Sequence, residues 1–353
     1  MGTRLEPELD RTQQRRQLPL LGWWNVALQR SSDVTQPRQS VLWQWAGPVG
    51  LPIATILLVA VFSVLSPVFL TTSNFANILR DAALPTIVAV GLTVCLVMND
   101  YDLSIGATSS FATMLVSVLV AQDSMMLAAG LVITMLAGLV VGLVNGAFVA
   151  YAGLSALVVT IAVGSILNGL EFAVSGNNQI YGGYPTGFMA FARGNIGPIP
   201  NLVIVAAAIV VLFWLVLERT ALGRNMRAIG GNSEAARFAG VNIRRTRALG
   251  FILCALAATF AGMLYAGKQG VAYPLTGLNV LLPSYAAAFI GAAMFKLGEF
   301  NVPGTVIGVL ITGITANGLL LLSVPAYGAY LLQGAILLVA LLFARVVAKR
   351  RGT

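Results

Sequence analysis

From position 49 onward the chain runs through one apolar stretch after another. Each is close to the 20 or so residues that a helix needs to cross the hydrocarbon core of a bilayer. Hydrophobic residues make up 58% of the 353 and charged residues only 9%, against about a quarter charged in an ordinary soluble domain. So few charges cannot cover a globular surface in water. The 37 glycines suit a bundle in which small residues let helix backbones approach. The chain is therefore read as an all-α, polytopic membrane protein.

Windows of about 19 residues place spans near 49–70, 82–98, 103–121, 125–150, 154–174, 199–218, 248–267, 279–297, 302–322 and 327–345, about ten in all. The stretch 82–98 is short enough for a broken or buried helix. An even count puts both termini on one face. Basic residues test this, because Lys and Arg collect in cytoplasmic loops. With the N-terminus inside, 18 of the 21 Lys and Arg fall on the cytoplasmic side, including seven Arg in the loop 219–247. Only Arg80, Arg193 and Lys268 fall outside. The organisation is then a cytoplasmic N-terminal tail, 1–45, a transmembrane domain, 46–347, and a cytoplasmic C-terminal tail, 348–353. In the first tail Leu18 to Leu28 is too short to span, and Trp23, Trp24, Trp43 and Trp45 fit interfacial anchoring. The halves 82–174 and 248–345 have opposite topology, which suits an inverted repeat.

Several function classes fall away. The net charge of +9 does not point to nucleic acid, because the basic residues sit in loops and tails without interleaved aromatics. Histidine is absent, so imidazole ligands and relays are excluded. Cys95 and Cys254 fall in different apolar spans and read as small packing residues rather than a disulfide or metal site. Within the spans no paired carboxylates or activated nucleophile appear, so no catalytic residue, cofactor or metal site is assigned to this chain.

Polar residues inside lipid are costly and mark pathways or helix contacts. The candidates for a translocation path are Asp102, Ser104, Asn145, Asn168, Glu171 and Asn317. Asp102 opens a span and reads equally as an interfacial N-cap. Glu171 is the one acid well inside a span, although near its outer end. Asn145 and Asn317 occupy the third helix of each half, which invites a polar site between the halves. Simple interhelical hydrogen bonding accounts for the three asparagines as well.

The loop 219–247 carries the most specific pattern, ERTALGRNMRAIGGNSEAARFAGVNIRRTR. Gly230 and Gly231 break the chain, and Asn232 or Ser233 caps a short helix. Glu234 falls in its first turn, Arg237 in its last, and Gly240 at its end. A helix of about two turns is marginal alone and gains by docking.

This loop resembles the coupling segment of the ribose-type (branched-chain and sugar) permeases of ATP-binding-cassette (ABC) importers. The residues that carry the likeness are Gly223, Arg224, Gly230, Gly231, Asn232, Ala235, Ala236 and Gly240. Asp102-Leu103-Ser104-Ile105-Gly106, Asn145-Gly146 and Pro303-Gly304-Thr305 with Gly308 are similar to further stretches of the family. The chain departs from it at Asp100-Tyr101, at Leu281 to Ala287 and at Gly298-Glu299. The resemblance implies a transport subunit that is not itself an enzyme, in a bacterial cytoplasmic membrane with both termini cytoplasmic. It implies a separate ATPase subunit that holds ATP and Mg, since this chain has no phosphate-binding G-x-x-x-x-G-K-[ST] loop. It also implies a second permease copy or paralogue and a periplasmic or lipid-anchored solute-binding protein. Membrane lipid is a partner and nucleic acid is not. The cargo expected is a monosaccharide or similar small polar solute, with autoinducer-2-like compounds and nucleosides in the same range. The alternative is an ion-coupled secondary transporter of a small solute, which would need acidic groups at mid-membrane.

Overall fold

Where water is absent a backbone must satisfy its own hydrogen bonds, and this chain does so almost wholly with helices. The structure, a computed structural model, describes residues 41–294, 298–325 and six scattered positions between 327 and 338. It divides into Met1–Ala46, of which only the helical residues from 41 are described, and Gly47–Thr353. Residues 1–40 of the tail, Lys296, most of the tenth expected span and the tail 348–353 lie outside the described residues.

The helices are α1 (Val41–Leu65), α2 (Thr72–Leu96), α3 (Ile105–Ser117), α4 (Leu127–Gly146), α5 (Ala156–Ser175) and α6 (Thr186–Arg193). Then follow α7 (Asn201–Arg219), α8 (Ala221–Gly231), α9 (Ser233–Phe238), α10 (Ile243–Gln269), α11 (Leu278–Ala292) and α12 (Val302–Leu321). Helices α3 and α4 each run on into a π-helical turn, Val118–Gln122 and Ala147–Tyr151. Among the described residues seven helices are long and apolar enough to cross a membrane, namely α2, α3, α4, α5, α7, α10 and α12. Shorter apolar stretches lie in α1 and α11, at Thr55–Leu65 and Asn279–Ala292.

Most expected boundaries agree within a few residues; α1 starts eight residues early, and α2 departs furthest. It starts ten residues before the expected 82, because Asn74, Asn77, Arg80 and Asp81 dilute the hydropathy of its first turns. Each of the three that bond across the fold finds its partner far along the chain. Asn74 exchanges two amide hydrogen bonds with Asn317, at 2.9 and 3.0 Å. Arg80 donates to Asn195 Oδ1 at 2.9 Å, and Asp81 accepts from Lys268 at 2.7 Å.

Burial separates centre from periphery. The spanning stretch of α2 is 78% buried and that of α7 only 22%. Helix α10 packs against α2, α3 and α4, while α2 also touches α7, α11 and α12. On α4 the two faces are distinct. Val132, Leu136, Val140 and Leu143 are exposed, as lipid-facing side chains should be, while Gly138, Gly142 and Gly146 turn towards α10. A Cβ on Gly142 would lie 2.6 Å from Ile252 Cα, so these backbones touch only because the side chain is missing.

The long loop after α5 is not open coil. Ile180–Tyr181 (β1) pairs antiparallel with Val271–Ala272 (β4), and Asn195–Ile196 (β2) pairs with Ile199–Pro200 (β3). Helix α6 lies between them and rests on α10. Arg193, at its end, donates to the carbonyls of Lys268 and Gln269 at 2.9 and 2.8 Å. Arg80, Arg193 and Lys268 thus gather at one end of the bundle. The Arg-rich segment lies at the other end of α10, which is about 40 Å long at 1.5 Å per residue.

Candidate functional site

Between α2 and α3 the chain breaks, and the break is built from polar residues. Asn99 takes a left-handed conformation, φ 60°, which asparagine tolerates better than most residues. Its amide donates to the Gly230 carbonyl at 2.7 Å. Asp100, 3% exposed, receives a two-pronged hydrogen bond from Arg247 in the first turns of α10, with Nε to Oδ2 at 2.7 Å and Nη2 to Oδ1. The Arg-rich segment is therefore tied to the break at both its middle and its end.

Three of the sequence candidates meet just beyond. Asp102 is fully buried within the protein, and Ser104, not Asp102, holds the N-cap position of α3. Asp102 Oδ1 accepts both the backbone N–H of Ser104, at 2.9 Å, and its hydroxyl. Asn145 on α4 donates to Ser104 Oγ at 2.9 Å. Asp102 Oδ2 and Asn145 Oδ1 have no hydrogen-bond partner. Cys95 and Cys254, distant in sequence, are neighbours here. Their sulfurs and an Asp102 carboxylate oxygen lie within 4.8 Å of one another.

Glu171 stands apart from this group. Its side chain is wholly buried within the protein, and Oε1 accepts from Ser110 of α3 at 2.7 Å. Asn168, one turn earlier, is half-buried with its carbonyl oxygen unpartnered. Nearby, Tyr184 of the folded loop donates to Ser117 Oγ at 2.7 Å, and burial pushes its phenol above the usual range. Asn317 pairs with Asn74 and does not meet Asn145, so no polar site lies between these two asparagines.

A polar cleft lies at the other end, between α2, α10, α11 and α12. Two adjoining cavities of about 320 and 270 Å³ share Asp81, Pro85 and Asn279 in their walls. Tyr265, Lys268, Gln269 and Thr276 line one, and Thr312, Thr315 and Asn317 line the other. Pro85 sits inside α2 and has no N–H to give the Asp81 carbonyl, which bends a helix at a cavity wall. Of the sequence candidates only Asn317 reaches this cleft. Asp81 and Lys268 were legible as charges beside apolar runs, but their meeting was not.

The loop 219–247 folds into two helices rather than one. Thr220 caps α8, accepting from Gly223 N–H at 3.2 Å, and Asn232 caps α9, accepting from Ala235 N–H at 2.9 Å. Gly223, Met226 and Ile229 form the buried stripe of α8, a period-three signal present in the sequence. Gly230 belongs to the end of α8, where a Cβ would collide with the Val97 carbonyl. On α9 only Ala236 is buried, while Glu234, Ala235, Arg237 and Phe238 are exposed, Phe238 by 91%. Gly240, at φ +83°, then turns the chain towards α10. The exposed face of α9 is free to meet another protein.

Comparison with known proteins agrees with this architecture. The chain is 31% identical to the ribose import permease protein of Escherichia coli strain K12, over 82% of this chain and 91% of that one. It is 29% identical to the D-allose transport system permease protein of the same strain, over 83% and 90%. It is 31% identical to the L-arabinose ABC transporter permease protein of Azospirillum brasilense, over 86% and 88%. No solved structure matches it. Residues 74–341 match the family described as branched-chain amino acid transport system / permease component, and the chain belongs to that family as a multi-pass permease subunit of an ABC importer.

Proposed function

We propose that this permease carries a monosaccharide through the cleft between α2, α10, α11 and α12. One observation carries the reading. In a bundle made of apolar side chains, Asp81, Lys268, Gln269, Thr276 and Asn279 converge beside the half-buried ring of Tyr265. A sugar offers many hydroxyls and one apolar ring face, and sites for such ligands combine an apolar wall with a few placed polar groups. The names of the relatives point the same way, to ribose, D-allose and L-arabinose.

Around this core the fuller arrangement has about ten spans, in two halves of inverted topology. Both termini and the segment α8–α9 face the cytoplasm, and Arg80, Arg193 and Lys268 face outward. Two permease copies, identical or paralogous, form the path. A solute-binding protein delivers cargo to the outer end. The exposed face of α9 docks on an ATPase subunit that holds ATP and Mg, and Gly223, Arg224, Gly230, Gly231, Asn232, Ala235, Ala236 and Gly240 shape that contact, with Glu234 and Arg237 on its surface.

The test is uptake into proteoliposomes holding the permease with its ATPase, loaded with ATP and offered solute-binding protein and labelled ribose, allose or arabinose. ATP-dependent uptake of at least one sugar is expected, reduced about tenfold or more by Lys268→Met. The Lys268–Asp81 pair is largely open to solvent on the Asp81 side and adds little stability, so that variant should still insert and fold. Uptake that needs no ATP and collapses with a proton ionophore would overturn the proposal.

A further inference from the structure

We propose that Cys95, Cys254 and Asp102 form a binding site for a thiophilic divalent cation such as Zn2+. The three ligands come from three segments: α2, α10 and the break before α3. Their ligand atoms lie within 4.8 Å of one another, and Cys95, Cys254 and Asp102 are 0%, 1% and 0% exposed. A tetrahedral zinc ion with sulfur at about 2.3 Å and oxygen at about 2.0–2.2 Å would hold its ligands roughly 3.5–3.8 Å apart.

The unsatisfied carboxylate is the independent sign. Asp102 Oδ1 is already bonded by Ser104, while the equally buried Oδ2 makes no hydrogen bond of ordinary geometry and has only the Cys254 thiol beside the carboxylate. Arg247, the guanidinium that reaches the break, is engaged by Asp100. A buried carboxylate in an apolar bundle calls for a partner of opposite charge. A disulfide between the two sulfurs would leave that oxygen as it is, whereas a cation held by all three groups satisfies it. The second shell has the form seen around metal ligands: Ser104 orients Asp102, and Asn145 in turn donates to Ser104. On binding, each thiol gives up its proton to solvent, and two thiolates and one carboxylate then surround the dication, leaving one net negative charge.

Such an ion would tie α2 to α10 about two turns from Arg247, where the segment that we assign to the ATPase ends. The site stands whether or not that assignment does, since its test does not involve transport.

The experiment uses the full chain purified in detergent under reducing conditions, equilibrated with buffered Zn2+ or Co2+ both during refolding-free reconstitution and after purification. Bound metal is counted by elemental mass spectrometry, and Co2+ reports thiolate ligands through its sulfur-to-metal charge-transfer absorption. About one ion per chain is expected, with the thiolate band present. Cys95→Ser and Cys254→Ser, nearly isosteric changes, should each abolish the band while the elution profile stays that of the parent protein. Ser104→Ala should weaken affinity about 10- to 100-fold, the usual effect of losing an outer-shell partner. Absence of bound metal with both thiols reduced would overturn the proposal. So would a band that survives in the double Cys→Ser variant, or an intact mass two hydrogens short, which would mark the pair as a disulfide.

Discussion

Removing the Arg247 side chain isolates the bond between the start of α10 and the break after α2. Asp100 is 4% exposed at its side chain and Arg247 29%. Breaking a fully buried ion pair from one side costs about 3–5 kcal/mol, because the remaining charge stays buried alone. The Arg247 end reaches solvent, so water recovers part of this. The two hydrogen bonds to a charged group set a scale of about 1.5–3 kcal/mol for each partner lost. We expect Arg247→Ala to destabilise the fold by about 2–3 kcal/mol, a factor of about 30 or more in the unfolding equilibrium. Arg247→Lys should recover only part of it, since an ammonium cannot grip both carboxylate oxygens. The assay is a double-mutant cycle with Asp100→Asn, read by reversible unfolding of the purified protein in mixed micelles. If the pair acts as described, the cycle gives a coupling energy above about 1 kcal/mol. Additive effects within about 0.5 kcal/mol would refute the reasoning, and the break would have to be held by Asn99 and its neighbours instead.

Two further outcomes follow from the packing and the exposed helix. Gly142→Leu forces a side chain into the Ile252 backbone and should cost at least about 1–3 kcal/mol, seen as a lower melting temperature, whereas Val140→Leu on the lipid face should change little. Phe238→Asp should leave the melting temperature unchanged, because Phe238 is 91% exposed, yet reduce co-purification of the ATPase subunit about tenfold; undiminished co-purification would move the docking surface away from α9.

What could be read from the sequence was local, and what could not was the meeting of distant residues. The spans were legible because an apolar window of 19 residues has few other uses. Both ends of α9 were legible too: Asn232 caps its start and Gly240 turns left-handed after its end, as their residue types allow. The start of α2 was hidden because its charges look like loop until Asn195 and Lys268 are seen to satisfy them. Helix α8 was missed although Gly223, Met226 and Ile229 mark its inner face, since the glycine pair at 230–231 suggested a break in the chain. The burial of Asp102 was not legible, for want of the residues that cover it. Asn145 and Asn317 looked like partners by symmetry, but each bonds elsewhere, to Ser104 and to Asn74. Cys95 and Cys254 looked separate because nothing in the sequence records that α2 and α10 touch.

Helix α10 has Arg247 near one end and Lys268 near the other, with no proline between them. Without a kink it behaves as a stiff rod. Where it crosses α3, Gly262 rests so close to Ser109 that a Cβ would strike the carbonyl there, and that crossing can act as a fulcrum. Towards Arg247 the same helix lies as close to α4, at Gly142 and Gly146, so a push on that end is shared with α4 as it travels towards Lys268. The two ends of the bundle are thus joined by one unbroken piece of backbone.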